Sequence, residues 1–279
     1  MVRHAAGIRW TRVVVGAWML ACLGALTACD EGRNAEPRDS TVPRAGGPAA
    51  DKYVPAGDEG LGASVAILID NSGSMKEEAE GDTRPKYVVA REAIEAMLAS
   101  TDSFVTRQPG FPINVGLYRF SDRVTPMVPV TKYDRPALIA ALDSMPEPDG
   151  GTAIGNAMDA ARIDLYRAGT FRKYILVVTD GENTKGISPR RMAREINRRS
   201  EGAVRMYFVA FDADAERFAF VREARGEVVG ARNGDALRAR LDEIYRGKIL
   251  SEALDAGETH PVSADSASRK TAPPPTTPR

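Results

Sequence analysis

The chain has 279 residues, 43% of them hydrophobic, with 38 basic and 38 acidic side chains and a formal net charge of zero. That apolar fraction excludes wholesale disorder, the length fits one domain with appendages or two small domains, and the balanced charge argues against a nucleic-acid binder. The two Cys are Cys22 and Cys29 and the two His are His4 and His260. Residues 30–259 therefore exclude a Cys/His zinc site, an intramolecular disulfide, a Cys nucleophile and a Ser-His-Asp triad.

Arg3, Arg9 and Arg12 precede an apolar, small-residue stretch from Val13 to Leu26. This stretch is shorter than the ~20 residues of a comfortable membrane span and reads as a secretory signal. It closes on Leu26-Thr27-Ala28-Cys29, which resembles the bacterial lipobox. The resemblance implies that residues 1–28 are a lipoprotein signal peptide and that the Cys29 thiol is acylated. Acyl chains would hold the mature chain on a membrane, facing outside the cytoplasm in a bacterial cell envelope; the alternative is an uncleaved anchor with an incidental Cys. Removing residues 1–28 deletes three Arg and no acid, leaving 35 basic against 38 acidic side chains. Residues 29–61 contain Pro37, Pro43, Pro48 and Pro55 without a helical or strand period. They read as a flexible tether with an end-to-end distance of roughly 30 Å.

From there apolar runs alternate with helical patterns. Val65–Ile69 is a continuous apolar run, as expected of a strand buried on both faces. Val89, Ala90, Ala93, Ile94, Met97 and Leu98 follow a 3.6-residue period. Ile113–Phe120 reads as a second strand, and Val124–Val130 as a short strand that Pro126 and Pro129 confine to a sheet edge. Leu138–Leu142 suggests a short helix, and Ile154, Ala157, Met158, Ala161 and Leu165 mark a longer one. Tyr174–Val178 is another buried strand, followed by a helix behind Pro189, a strand at Val204–Ala210 and a weak strand at Glu227–Val229. Leu237, Leu241, Ile244 and Tyr245 close with a helix that Asn233 or Asp235 would cap. Residues 251–279 end in a Pro-rich run and read as a disordered tail. The alternation implies an α/β fold, doubly wound, with a mostly parallel central sheet, helices on both faces and one short antiparallel edge strand. Ligands on such sheets bind at the carboxyl ends of the strands.

Three motifs fall at those ends. Asp70-Asn71-Ser72-Gly73-Ser74-Met75 follows the first strand, Asp149-Gly150-Gly151-Thr152 lies in a later loop, and Thr179-Asp180-Gly181 follows another buried strand. Ser72 and Ser74 alternate, so two hydroxyls can face one ion, with Gly73 easing the turn between them. Thr152 offers a third hydroxyl, and Asp70 and Asp180 supply charge. Oxygen-only donors suit Mg²⁺, Mn²⁺ or Ca²⁺ better than Zn²⁺ or Cu²⁺. Taken singly, each motif has a plainer reading: a helix N-cap cluster at Asp70 and Ser72, a turn at Asp180-Gly181 and a loop at Gly150-Gly151.

In this order the motifs resemble the von Willebrand factor type A (VWA) family over roughly residues 62–250, with no departure at the five expected positions. The resemblance implies a Rossmann-like VWA domain with a metal-ion-dependent adhesion site (MIDAS). Ser72, Ser74 and Thr152 would ligate a divalent cation, most readily Mg²⁺, and Asp70 and Asp180 would act directly or through water. It also implies that a partner's Asp or Glu completes the coordination. The expectation is a non-enzymatic, monomeric binding module with a protein partner, a lipid anchor at Cys29 and no nucleic acid. A phosphohydrolase is the first alternative. It lacks a His base, with Glu182 and Asp149 the nearest substitutes, and haloacid-dehalogenase phosphatases carry Asp where Ser72 stands. The second alternative is a metal-independent accessory of an envelope complex. Lys76, Glu77, Glu78 and Glu80 read as a solvated loop, with a partner rim as the alternative, and Arg190, Arg191, Arg194, Arg198 and Arg199 as a solvated or ion-paired helix face rather than a phosphate or lipid contact.

Overall fold

The computed structural model describes residues 60–252, all within the second of the chain's two units, Ala45–Arg279. The signal peptide, Cys29, the tether up to Glu59 and the tail after Glu252 lie outside the described residues.

Strand β1 (Gly60–Asp70) is followed by helix α1 (Lys86–Arg107), β2 (Ile113–Phe120), β3 (Val124–Lys132), α2 (Arg135–Asp143), α3 (Ile154–Arg167) and β4 (Thr170–Thr179). Then come α4 (Pro189–Arg199), β5 (Val204–Phe211), the short α5 (Phe220–Glu223), β6 (Glu227–Ala231) and α6 (Gly234–Ile244). A π-helical turn at Tyr245–Leu250 extends α6, and helix continues to Glu252. Strand β1 thus starts two residues before Gly62, and helix runs two residues past Leu250.

The six strands order as β3-β2-β1-β4-β5-β6. Only β3 runs antiparallel, against β2; all other pairs are parallel. Its place at the edge follows from Pro126 and Pro129, which have no N–H to give to a further neighbour. Helices cover both faces, and the alternation along β1 shows why. Val65, Ile67 and Ile69 join the core under α1, α2 and α6, while Ala66 and Leu68 join the one under α3, α4 and α5. A strand buried twice has no polar face to alternate with, which produced its uninterrupted apolar run.

The caps follow local chemistry. The Asn233 side chain accepts from Ala236 N and starts α6, and Ser188 does the same for α4 ahead of Pro189. On the exposed face of α4, Arg190 and Arg194 pair with Glu223, and Arg198 and Arg199 pair with Glu195. No described helix is long and apolar enough to cross a membrane.

Candidate metal centre

Asp70 is the last residue of β1 and Asp180 the first after β4, and these strands are parallel neighbours with Ile69 opposite Val178. The chain leaves the sheet in opposite directions on either side of β1, so both carboxylates stand at the topological switch point. Asp70 is fully buried. Its Oδ1 accepts from Ser72 N at 2.8 Å and its Oδ2 from the Thr179 hydroxyl at 2.5 Å. Burial pushes the carboxyl up to about 6 despite those bonds, with a smaller push from the Asp180 charge.

The helix-cap reading of Asp70 and Ser72 does not describe this turn. Ser72 precedes a 3-10 turn at Gly73–Lys76 without a side-chain cap bond. Its Oγ lies 3.2 Å from Ser74 Oγ, which donates to Asp180 Oδ1 at 2.8 Å. A side chain placed at Gly181 would stand 3.7 Å from Thr152 Oγ1 and 3.8 Å from Ser74 Oγ, so the two hydroxyls flank one point that the missing Cβ leaves open. Ser72, Thr152 and Asp180 are buried, whereas Ser74 and Gly181 are half-exposed and form the mouth. The five sequence-predicted residues are brought together. Asn71 Oδ1 is buried in the same turn and has no hydrogen-bond partner among the described residues. Three hydroxyls and the Asp180 carboxylate about this opening, with the buried Asp70 carboxylate behind Ser72, form a donor set that fits a small, hard divalent cation.

Backbone bonds fix the three loops to one another. Asn71 N donates to Phe120 O at 2.7 Å, Asp149 N to Asn71 O at 3.0 Å and Gly73 N to Gly150 O at 3.0 Å. A Cβ at Gly73 would sit 3.4 Å from Gly150 O, an ordinary contact distance, so the two loops lie within van der Waals reach here. Gly150 has φ +77° with the Asp122 carboxylate behind it, and that carboxylate accepts from Gly151 N at 2.7 Å. A Cβ at Gly151 would fall 2.5 Å from Thr184 Oγ1, the atom that accepts from Thr152 N at 2.8 Å. Thr152 O in turn accepts from Thr184 N at 2.9 Å.

Behind Asp180 sits a cation of the protein's own. Lys86 Nζ, at the start of α1, lies 3.2 Å from Asp180 Oδ2, 3.1 Å from Asp212 Oδ2 and 3.3 Å from Glu77 Oε2. Burial pulls this ammonium down, but the Asp212 hydrogen bond and the Asp180 charge outweigh it and leave it above the ordinary lysine value.

Sequence reasoning missed Asp122, Thr184, Thr179, Lys86 and Asp212 as parts of this arrangement. Thr179 stood inside a quoted motif. The others are isolated in sequence and meet the site only through the sheet order. Glu182 and Asp149, the substitutes for a general base, are exposed, and Glu182 leans to Arg217 at 3.6 Å.

The family described as von Willebrand factor type A domain matches residues 64–225. No curated protein matches the chain in sequence. Among solved structures, it resembles the PilB minor pilin from Streptococcus sanguinis at TM-score 0.54 and 15% identity, covering 68% of this chain and 62% of that one. BatB from Bacteroides thetaiotaomicron is similar at TM-score 0.52 and 20% identity, covering 68% of this chain and 99% of that one. Proximal thread matrix protein 1 from the mussel byssus, with a zinc-occupied MIDAS motif, is similar at TM-score 0.51 and 19% identity over 70% of this chain and 47% of that one. The chain spans less than two thirds of the length of the pilin, and all three likenesses are likenesses of fold.

Proposed function

The chain belongs to the von Willebrand factor type A domain family, and from that premise we propose that it is a binding module, not an enzyme, which engages a protein partner through a divalent cation. The observation that carries this reading is the convergence of the Ser72, Ser74 and Thr152 hydroxyls with Asp70 and Asp180 at one half-open point. Hydroxyls leave the charge of Mg²⁺ poorly neutralised, so an Asp or Glu side chain of a partner supplies the missing negative charge through the mouth at Ser74 and Gly181. The bound ion, Mg²⁺ by preference and Mn²⁺ or Ca²⁺ by the same donor chemistry, provides the attraction, and the protein's part is to hold the five side chains in place.

Residues 1–28 serve as the export signal. Cys29 carries the lipid that holds the module on the outer side of a bacterial membrane, with residues 30–59 as its tether. This part of the reading rests on the lipobox alone and is tested separately: Cys29→Ser should move the chain from the membrane to the soluble fraction.

The binding reading is tested by affinity capture from solubilised membranes, with and without EDTA, followed by mass spectrometry. The expected outcome is a partner recovered by the wild type with Mg²⁺ and lost with EDTA, with Asp70→Ala or with Ser72→Ala. Recovery unchanged by chelation and by both substitutions would favour a metal-independent accessory instead.

A further inference from the structure

Both oxygens of Asp180 are already held by donors of the protein itself. Ser74 Oγ donates to Oδ1 at 2.8 Å, and Lys86 Nζ donates to Oδ2 at 3.2 Å. Lys86 is not a surface cation that swings in: its side chain is 7% exposed, and it is further held by Asp212 at 3.1 Å and Glu77 at 3.3 Å. It opens α1 directly after Pro85, and its backbone N donates to Glu77 O at 2.8 Å, so its stem is fixed as well as its head. A buried ammonium beside a carboxylate that faces a cation site places like charge behind the ion and a restraint on its ligand.

We infer that Lys86 is a positioning residue that holds Asp180 back from direct coordination, so that the cation keeps an exchangeable water and an uncancelled charge for the partner's carboxylate. The inference rests on the metal-dependent reading above and adds to it a determinant outside the five motif positions. It accounts for the acidic surroundings of Lys86. Asp212 and Glu77 stabilise the ammonium where a lone lysine would be expelled, and they share it with Asp180. Lys86 therefore trades intrinsic ion affinity for an open coordination position.

The test uses the purified full-length chain with Mn²⁺ alone, titrated by calorimetry. Eu³⁺ luminescence lifetimes in H₂O and D₂O count the waters on the bound ion. Lys86→Met should bind Mn²⁺ more tightly, by about tenfold, the scale of one nearby charge in a partly buried setting. It should also carry one coordinated water fewer, because Asp180 moves onto the ion. Lys86→Arg should retain the wild-type affinity and water count. A folded Lys86→Met that matches the wild type in both would overturn this inference and leave the metal site standing. Absence of Mn²⁺ binding to the wild type and Lys86→Met alike would overturn both. Should Lys86→Met fail to fold, Asp212→Asn decides, since Asp212 is partly exposed and tolerates the change. With one competitor for the ammonium removed, Asp180 is held more firmly and Mn²⁺ binds several-fold more weakly at an unchanged water count. Equal or tighter binding there would overturn the inference.

Discussion

Asp70 is the residue at which stability and binding pull apart. Its carboxyl is raised to about 6, so ionising it in the folded protein costs more than ionising it in the unfolded chain. The sign follows from linkage. The stability this group contributes is fully present below about pH 4 and is lost as pH rises through about 6, at a cost of about 3 kcal/mol. A divalent cation offsets that cost where it is largest, so ion binding and Asp70 protonation oppose each other. Ion affinity is expected to fall about tenfold per pH unit below 6, which Mg²⁺ titrations at pH 5 and pH 7.5 would measure. Asp70→Asn keeps an acceptor for Ser72 N and removes the buried charge, and Thr179 Oγ1 already has Gly181 O within 3.2 Å as a second partner. At pH 7.5 without metal this variant should melt at or above the wild-type temperature. Excess Mg²⁺ should raise the wild-type melting temperature by about 5–10 °C at a hundredfold excess over the dissociation constant, and the variant's not at all. A metal-free variant that melts well below the wild type would contradict this account of Asp70.

At the scale of elements, the site is a meeting of loops, each held by a neighbour. Helix α3 begins against the loop between β4 and α4, where Ile187 N donates to Asn156 Oδ1 at 2.7 Å and Gly155 N donates to Asn183 Oδ1 at 3.3 Å. A Cβ at Gly155 would lie 2.0 Å from the backbone oxygen of Ile187. Main chain cannot swing away as a flexible side chain would, so Gly155→Ala must displace the loop that begins at Asp180. It should destabilise the fold by about 2–4 kcal/mol in urea unfolding and should weaken Mg²⁺ binding, although Gly155 is not one of the five predicted ligands. An unchanged unfolding midpoint would show that the two elements pack more loosely than their contact implies. Much of this scale was readable beforehand. The 3.6-residue period of α1 and the apolar runs of β1 and β4 follow from local sequence, because burial on one or both sides imposes its period directly. The π-helical end of α6 carried no such signal.

At the scale of the molecule, the last described residues close over the amino-terminal ends of β4 and β5. Glu252 accepts from the Tyr174 hydroxyl at 2.7 Å and pairs with Arg205, and its backbone oxygen accepts from Arg172. Tyr245 is buried and accepts from the Thr101 hydroxyl at 2.9 Å. Ending the chain after Ile249 removes Leu250 from the core together with all the Glu252 bonds, and should cost about 2–4 kcal/mol. Ending it after Glu252 should leave the urea midpoint unchanged. Equal midpoints for the two truncations would place the anchor elsewhere.

The layers, the edge position of β3 and the motif residues at the strand ends are legible in the chain alone. Each of these depends on information within a few residues of itself: a period, a proline, or a motif at a strand's end. What stands behind those residues depends on how the elements pack. Lys86 and Asp212 are far apart in the chain, and neither lies in a motif. They meet at Asp180 because α1 starts over the carboxyl end of β4 and β5 lies next to β4. Asp122 reaches the Gly150-Gly151 loop for the same kind of reason, from the turn between β2 and β3. Sheet order is set by the summed burial of whole elements, so contacts that depend on it leave no local mark on the chain.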